Sequence, residues 1–116
     1  MMRQLLLAVL LALSQGTMAQ EINKAIIDPD INREILSGWV NREGIASKDY
    51  LEDGLLKYDS YEANKDAIAI LKEAFKENDH LNILVVFATW CGDSKTHLPD
   101  FFKVVDLAQM PNVKYL

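Results

Sequence analysis

The sequence predicts an α/β fold: a βαβ unit preceded by N-terminal helices, together forming an incomplete domain. Three observations lead there. Residues 83–88 are a continuous apolar run rich in β-branched side chains, the pattern of a strand covered on both faces. A stripe of Leu98, Phe101, Phe102, Val105 and Ala108 follows at helical spacing. After the turn signal Met110-Pro111-Asn112, Val113 to Leu116 begins a second apolar segment. Strand, helix and strand in that order make a parallel unit with a right-handed crossover.

The chain of 116 residues suits one small domain. It opens with Arg3, the apolar run Leu5–Leu13 and the small-x-small triplet Thr17-Met18-Ala19, in the order of a secretory signal. The alternative is an N-terminal membrane anchor, yet a span needs about 20 apolar residues and this run is shorter. Cleavage before Gln20 divides the chain into a leader (1–19), a mainly helical region (20–79) and a partial βαβ unit (80–116), with no stable membrane span left after cleavage.

In the helical region, Asp28-Pro29 reads as N-cap and first helical residue, with Ile31, Ile35, Leu36, Trp39 and Val40 at helical spacing and Gly44 as the stop. Ser47 caps a short second helix carrying Tyr50, Leu51, Leu55 and Leu56. Ser60 opens a third, where Ala67, Ile68, Leu71, Ala74 and Phe75 make one stripe between solvated Lys and Glu positions, ending at Asn78-Asp79. The strand over 83–88 and a helix from Gly92 or Asp93 to Gln109 follow, with Pro99 kinking that helix near its start.

The chain has 12 basic and 17 acidic residues, a net charge of −5, which becomes −6 once Arg3 leaves with the leader. With no Lys/Arg cluster, this balance argues against nucleic acid or an anionic membrane surface as partner. One cysteine, Cys91, cannot form an internal bridge, so it is a buried bystander, a reactive thiol or half of an intermolecular bond. Its place between an apolar strand and a helix start favours reactivity, because helix N-termini stabilise a thiolate. Ser94 offers a hydroxyl to that thiolate. Asp93 is a tuning base or a capping residue, and as an anion it opposes the thiolate. Lys95 offsets that charge or is a solvated surface lysine. Trp90 shields the thiol and meets partners, or simply packs. His97 lies six residues from Cys91, off its helical face, and His80 is remote, so neither a Cys–His pair nor a metal site is expected. No cofactor is implied.

The run Ile83–Pro99 (ILVVFATWCGDSKTHLP) resembles the thioredoxin superfamily, in particular exported thioredoxin-like proteins of bacterial envelopes. The shared features are the apolar strand, Ala88-Thr89-Trp90-Cys91, Gly92 after the thiol and Pro99 eight residues beyond it. The resemblance covers residues 80–116 and implies a thiol–disulfide protein of the periplasm or cell envelope. Its partners would be protein or small-molecule thiols and disulfides, and Cys91, Ser94 and Trp90 would form its site. Two departures matter. Ser94 stands where the family has its second cysteine, and Val85 where it has a buried aspartate. The family's later strands, with the cis-proline loop facing the thiol, have no counterpart up to Leu116. The implied chemistry is a mixed disulfide that an outside thiol must resolve. The other readings are a non-enzymatic thioredoxin-fold binding module and a truncated inactive fragment.

Overall fold

The computed structural model describes residues 19–116. The signal-peptide reading therefore falls, but for Ala19, outside the described residues. The elements are β1 (Lys24–Asp28), β2 (Arg33–Ser37), α1 (Arg42–Ala46), α2 (Gly54–Ser60), α3 (Lys65–Glu77), β3 (Ile83–Val85), α4 (Gly92–Ala108) and β4 (Val113–Tyr115). The described chain is mixed α/β, with two two-stranded sheets and four helices.

The first departure from expectation lies at residues 24–37, where an antiparallel hairpin replaces the helix begun at Asp28-Pro29. Ile26 pairs with Ile35 and Asp28 with Arg33. The Asp28 carboxylate accepts the N–H groups of Asp30 at 2.8 Å and Ile31 at 3.3 Å. An aspartate before proline offers the same acceptor to a helix start or to a turn, and here it closes a turn. Asn32 completes the reversal at φ 49°, in the left-handed region that asparagine tolerates.

Gly44 does not stop a helix; it lies inside α1 and is buried. Asn41 caps that helix by accepting the Gly44 N–H at 2.8 Å. Asn23 clasps the same place, donating to Asn41 Oδ1 at 2.9 Å and accepting the Asn41 N–H at 2.9 Å. A Cβ on residue 44 would stand 2.0 Å from Asn23 Oδ1, so only glycine lets the hairpin base approach α1 this closely. The two later helices also start elsewhere than expected: α2 begins at Gly54, and Asn64 caps α3.

The C-terminal unit follows the expected order. β3 and β4 pair in parallel, Ile83 opposite Val113 and Val85 opposite Tyr115, with α4 between them in sequence. The strand is shorter than expected, and only one face is covered. Val85 and Phe87 pack on the core, while Leu84 and Val86 are 53% and 73% exposed. A two-stranded sheet with its packing on one side leaves the alternate side chains in solvent. On the free side of β4, Val40 donates its N–H to the Tyr115 carbonyl at 3.1 Å. The core is Val40, Ile45, Leu51, Leu98, Phe102 and Tyr115, so the N-terminal region and the βαβ unit share one apolar centre. The stripe of α3 stays outside it: Ile68, Leu71 and Phe75 are half-buried, and no residue of that helix is buried.

Pro99 is fully buried inside α4. Proline has no N–H, so the carbonyl four residues back, that of Lys95, loses its helical partner. Lys57 supplies the replacement, donating its Nζ to the Lys95 carbonyl at 3.2 Å and to the Leu51 carbonyl at 3.0 Å. This couples α2 to the first turns of α4.

Two substitutions test these contacts. Gly44→Ala gains about 0.5–1 kcal/mol of helix propensity yet is expected to lower stability, because the Asn23 clasp must open at about 1 kcal/mol per hydrogen bond. Lys57→Met is expected to cost about 1–3 kcal/mol by leaving two carbonyls without a donor. Urea denaturation midpoints check both, and an unchanged midpoint in Lys57→Met would show that water replaces the amine at no loss.

Candidate functional site

The end of β3 and the start of α4 build the site. After Phe87 the chain leaves the ladder, turns through Thr89 and Trp90, and enters a helix of 17 residues at Gly92. Cys91 is the N-cap, with φ −82° and ψ 125°, the extended geometry a cap requires. No hydrogen bond from its side chain closes the cap in the usual sense. The sulfur instead lies where the free N–H groups of the first turn gather, and it is partly exposed.

That placement lowers the Cys91 thiol below its ordinary value. The N–H of Ser94 contributes most, followed by the N–H of Asp93 and the Ser94 hydroxyl; partial burial and the Asp93 charge oppose them without prevailing. The helix start therefore outweighs the neighbouring anion, a balance that residue types alone leave open. Ser94 is itself positioned by the strand end, since its Oγ accepts the Ala88 N–H at 3.2 Å. With that lone pair engaged, the hydroxyl proton is left to point at the sulfur.

The structure brings Cys91 and Ser94 together. Trp90 stands beside them at 54% exposure, outside the core. Lys95 is neither a solvated lysine nor a partner of Asp93. Its side chain is 12% exposed and pairs with Glu52 in the loop between α1 and α2, holding that carboxyl below the usual range. Among the described residues no cluster of three or more His, Cys, Asp or Glu side chains could hold a metal ion. No helix among them is long and apolar enough to cross a membrane.

A cavity of about 220 Å³ opens beside the junction, lined by Arg33 and Glu34 of β2, Lys48 to Tyr50 and Glu52 of the following loop, and Thr89, Trp90 and Lys95. Glu34 accepts from Lys48 at 2.7 and 2.9 Å and from the Tyr50 hydroxyl at 2.6 Å, and these bonds lower its carboxyl. Burial, then the bond to Glu34, push the Tyr50 phenol up to about 12. Thr89 is buried and its hydroxyl has no partner. This wall escaped the sequence analysis because the hairpin was read as a helix; the adjacent Ile26-Ile27 before Asp28-Pro29 was the one local strand signal, and Ile31 and Ile35 lie at helical spacing.

A larger, mostly apolar cavity of about 350 Å³ lies between α1, α2 and Phe102, with Arg42 at its rim. That arginine is already engaged, since it holds Asp106 with two bonds of 2.5 and 3.0 Å and lies 4.7 Å from the Phe102 ring centre.

No protein-family model, curated protein or solved structure matches this chain. Fold and site alone define its class: a small mixed α/β protein with a partly exposed thiol at the N-terminus of its longest described helix.

The rate of thiol alkylation against pH checks the electrostatics. The inflection is expected below the ordinary thiol value of about 8.5. Ser94→Ala is expected to raise it only in part, because the dominant N–H donor is main chain and survives the substitution. Asp93→Asn is expected to lower it, by removing the one opposing charge.

Proposed function

We propose that this chain is a thioredoxin-like thiol–disulfide protein of the bacterial cell envelope, exported by its N-terminal leader, with Cys91 as its single redox group. The observation that carries the reading is the thiol at a helix N-cap, lowered in pKa and accessible to solvent. The parallel β3–α4–β4 unit and the buried proline in α4 support the family likeness.

The chemistry follows from one thiolate without a local partner. Cys91 Sγ⁻ attacks one sulfur of a disulfide RS–SR′. A bond forms between Sγ and that sulfur, the old S–S bond breaks, and R′S⁻ leaves with the electron pair. Ser94 has no thiol to reverse this, so an external thiolate must attack the mixed disulfide and return Cys91 to its reduced form. The first-turn N–H groups favour the thiolate both before attack and as a leaving group, because a thiol of low pKa leaves faster.

Incubating the folded chain with oxidised glutathione is expected to add one glutathionyl group, seen by mass spectrometry, removed by reduced glutathione and absent in Cys91→Ala. Ser94→Cys is expected to release the adduct without added thiol. A Cys91 that reacts only after denaturation would end this reading, and unchanged biological function in Cys91→Ser would favour the binding-module alternative.

A further inference from the structure

We propose that the cavity beside Trp90 binds a carboxylate-bearing thiol of low molecular weight, the outside thiol that resolves the Cys91 mixed disulfide. The resolving role rests on the function proposed above; the binding of a carboxylate ligand does not.

The charges of the wall carry the argument. Of its three carboxylates, Glu34 is matched by Lys48 and Glu52 by Lys95, while Asp49 accepts only the main-chain N–H of Asp53 among the described residues. Arg33, also in the wall, makes no ion pair among the described residues. A guanidinium is a forked donor shaped for a carboxylate. Thr89, in the same wall, is buried with an unpartnered hydroxyl, which ordinary folded structures satisfy. The cavity thus offers a cation outside any ion pair, with an unpartnered hydroxyl within its wall, and Asp49, the one wall carboxylate in no ion pair among the described residues, gives a ligand's ammonium a second point of contact.

Position and size narrow the occupant. Trp90 immediately precedes Cys91, and Lys95 donates its N–H to the Cys91 carbonyl at 3.1 Å, so two wall residues flank the thiol's own backbone. The half-exposed Trp90 ring gives the ligand's aliphatic stem an apolar surface. At about 220 Å³ the space falls below the range of drug-sized pockets. It suits one amino-acid-like end of a small thiol, with the rest extending toward the sulfur.

In the resolving step the bound thiol loses its proton to solvent and its thiolate attacks the substrate sulfur of the mixed disulfide. The new S–S bond joins substrate and incoming sulfurs, the bond to Cys91 Sγ breaks, and the electron pair stays on Cys91. The incoming thiol is oxidised as Cys91 is reduced.

Titration calorimetry of Cys91→Ser with S-methylglutathione tests binding without any exchange chemistry. Saturable binding is expected, weakened about fivefold by Arg33→Gln, the upper end for an exposed ion pair. It is expected to weaken also in Thr89→Val and to disappear for the ligand's dimethyl ester. With the reactive cysteine present, glutathione is expected to resolve the mixed disulfide faster than neutral 2-mercaptoethanol, and Arg33→Gln to shrink that ratio about fivefold. No saturable binding, or binding indifferent to Arg33 and to esterification, overturns the site even if exchange at Cys91 proceeds. Binding with no adduct at Cys91 overturns the resolving role together with the proposed function.

Discussion

The edge-to-face contact of Phe102 with Tyr115, with ring centres 5.4 Å apart and planes at 86°, seats α4 against β4. The thiol site exists because of that seating. Leu98 lies one turn nearer the helix start and shares the core with Val40, so the helix begins where β3 has just ended. The far end is moored separately. Asp106 accepts from Arg42 and, at 2.7 Å, from the Tyr58 hydroxyl, and these partners hold its carboxyl below the ordinary range. Arg42 sits over Phe102 and Tyr58, so one guanidinium joins α1, α2 and α4. Each such contact is modest at the surface, but the shared arrangement leaves α4 little freedom to slide.

At the other end of the helix, the junction joins three sources of positive potential on one sulfur: two main-chain N–H groups, a hydroxyl and the aligned peptides behind them. None of these is a formal charge. The two lysines against the first turns of α4 are spent, Lys95 on Glu52 and Lys57 on main-chain carbonyls. Activation by dipoles alone is insensitive to salt compared with activation by a lysine, because the donors are fixed by the fold and lie within one turn.

What could be read from the residues was local. The run ending at Ala88, the helix from Gly92, the turn at Pro111 and the pairing of Cys91 with Ser94 all lie within short windows where pattern and position agree. The hairpin was missed because Ile31, Ile35, Leu36, Trp39 and Val40 satisfy a helical period, and Asp28-Pro29 begins helices and turns alike; tertiary pairing of Leu36 with the core settled it. Lys57 and Glu52 were invisible for another reason. Their partners lie 38 and 43 residues away, and no local pattern encodes such a meeting.

β3 has one neighbour strand, β4, and its opposite edge is unpaired among the described residues. Beside that edge Leu84 and Val86 form a short greasy ladder open to water. Main-chain donors and acceptors next to an uncovered aliphatic strip are a template on which a foreign extended segment can be laid. This rim is therefore a place where copies of the chain can meet in concentrated solution, and a lysine in place of Val86 would blunt it.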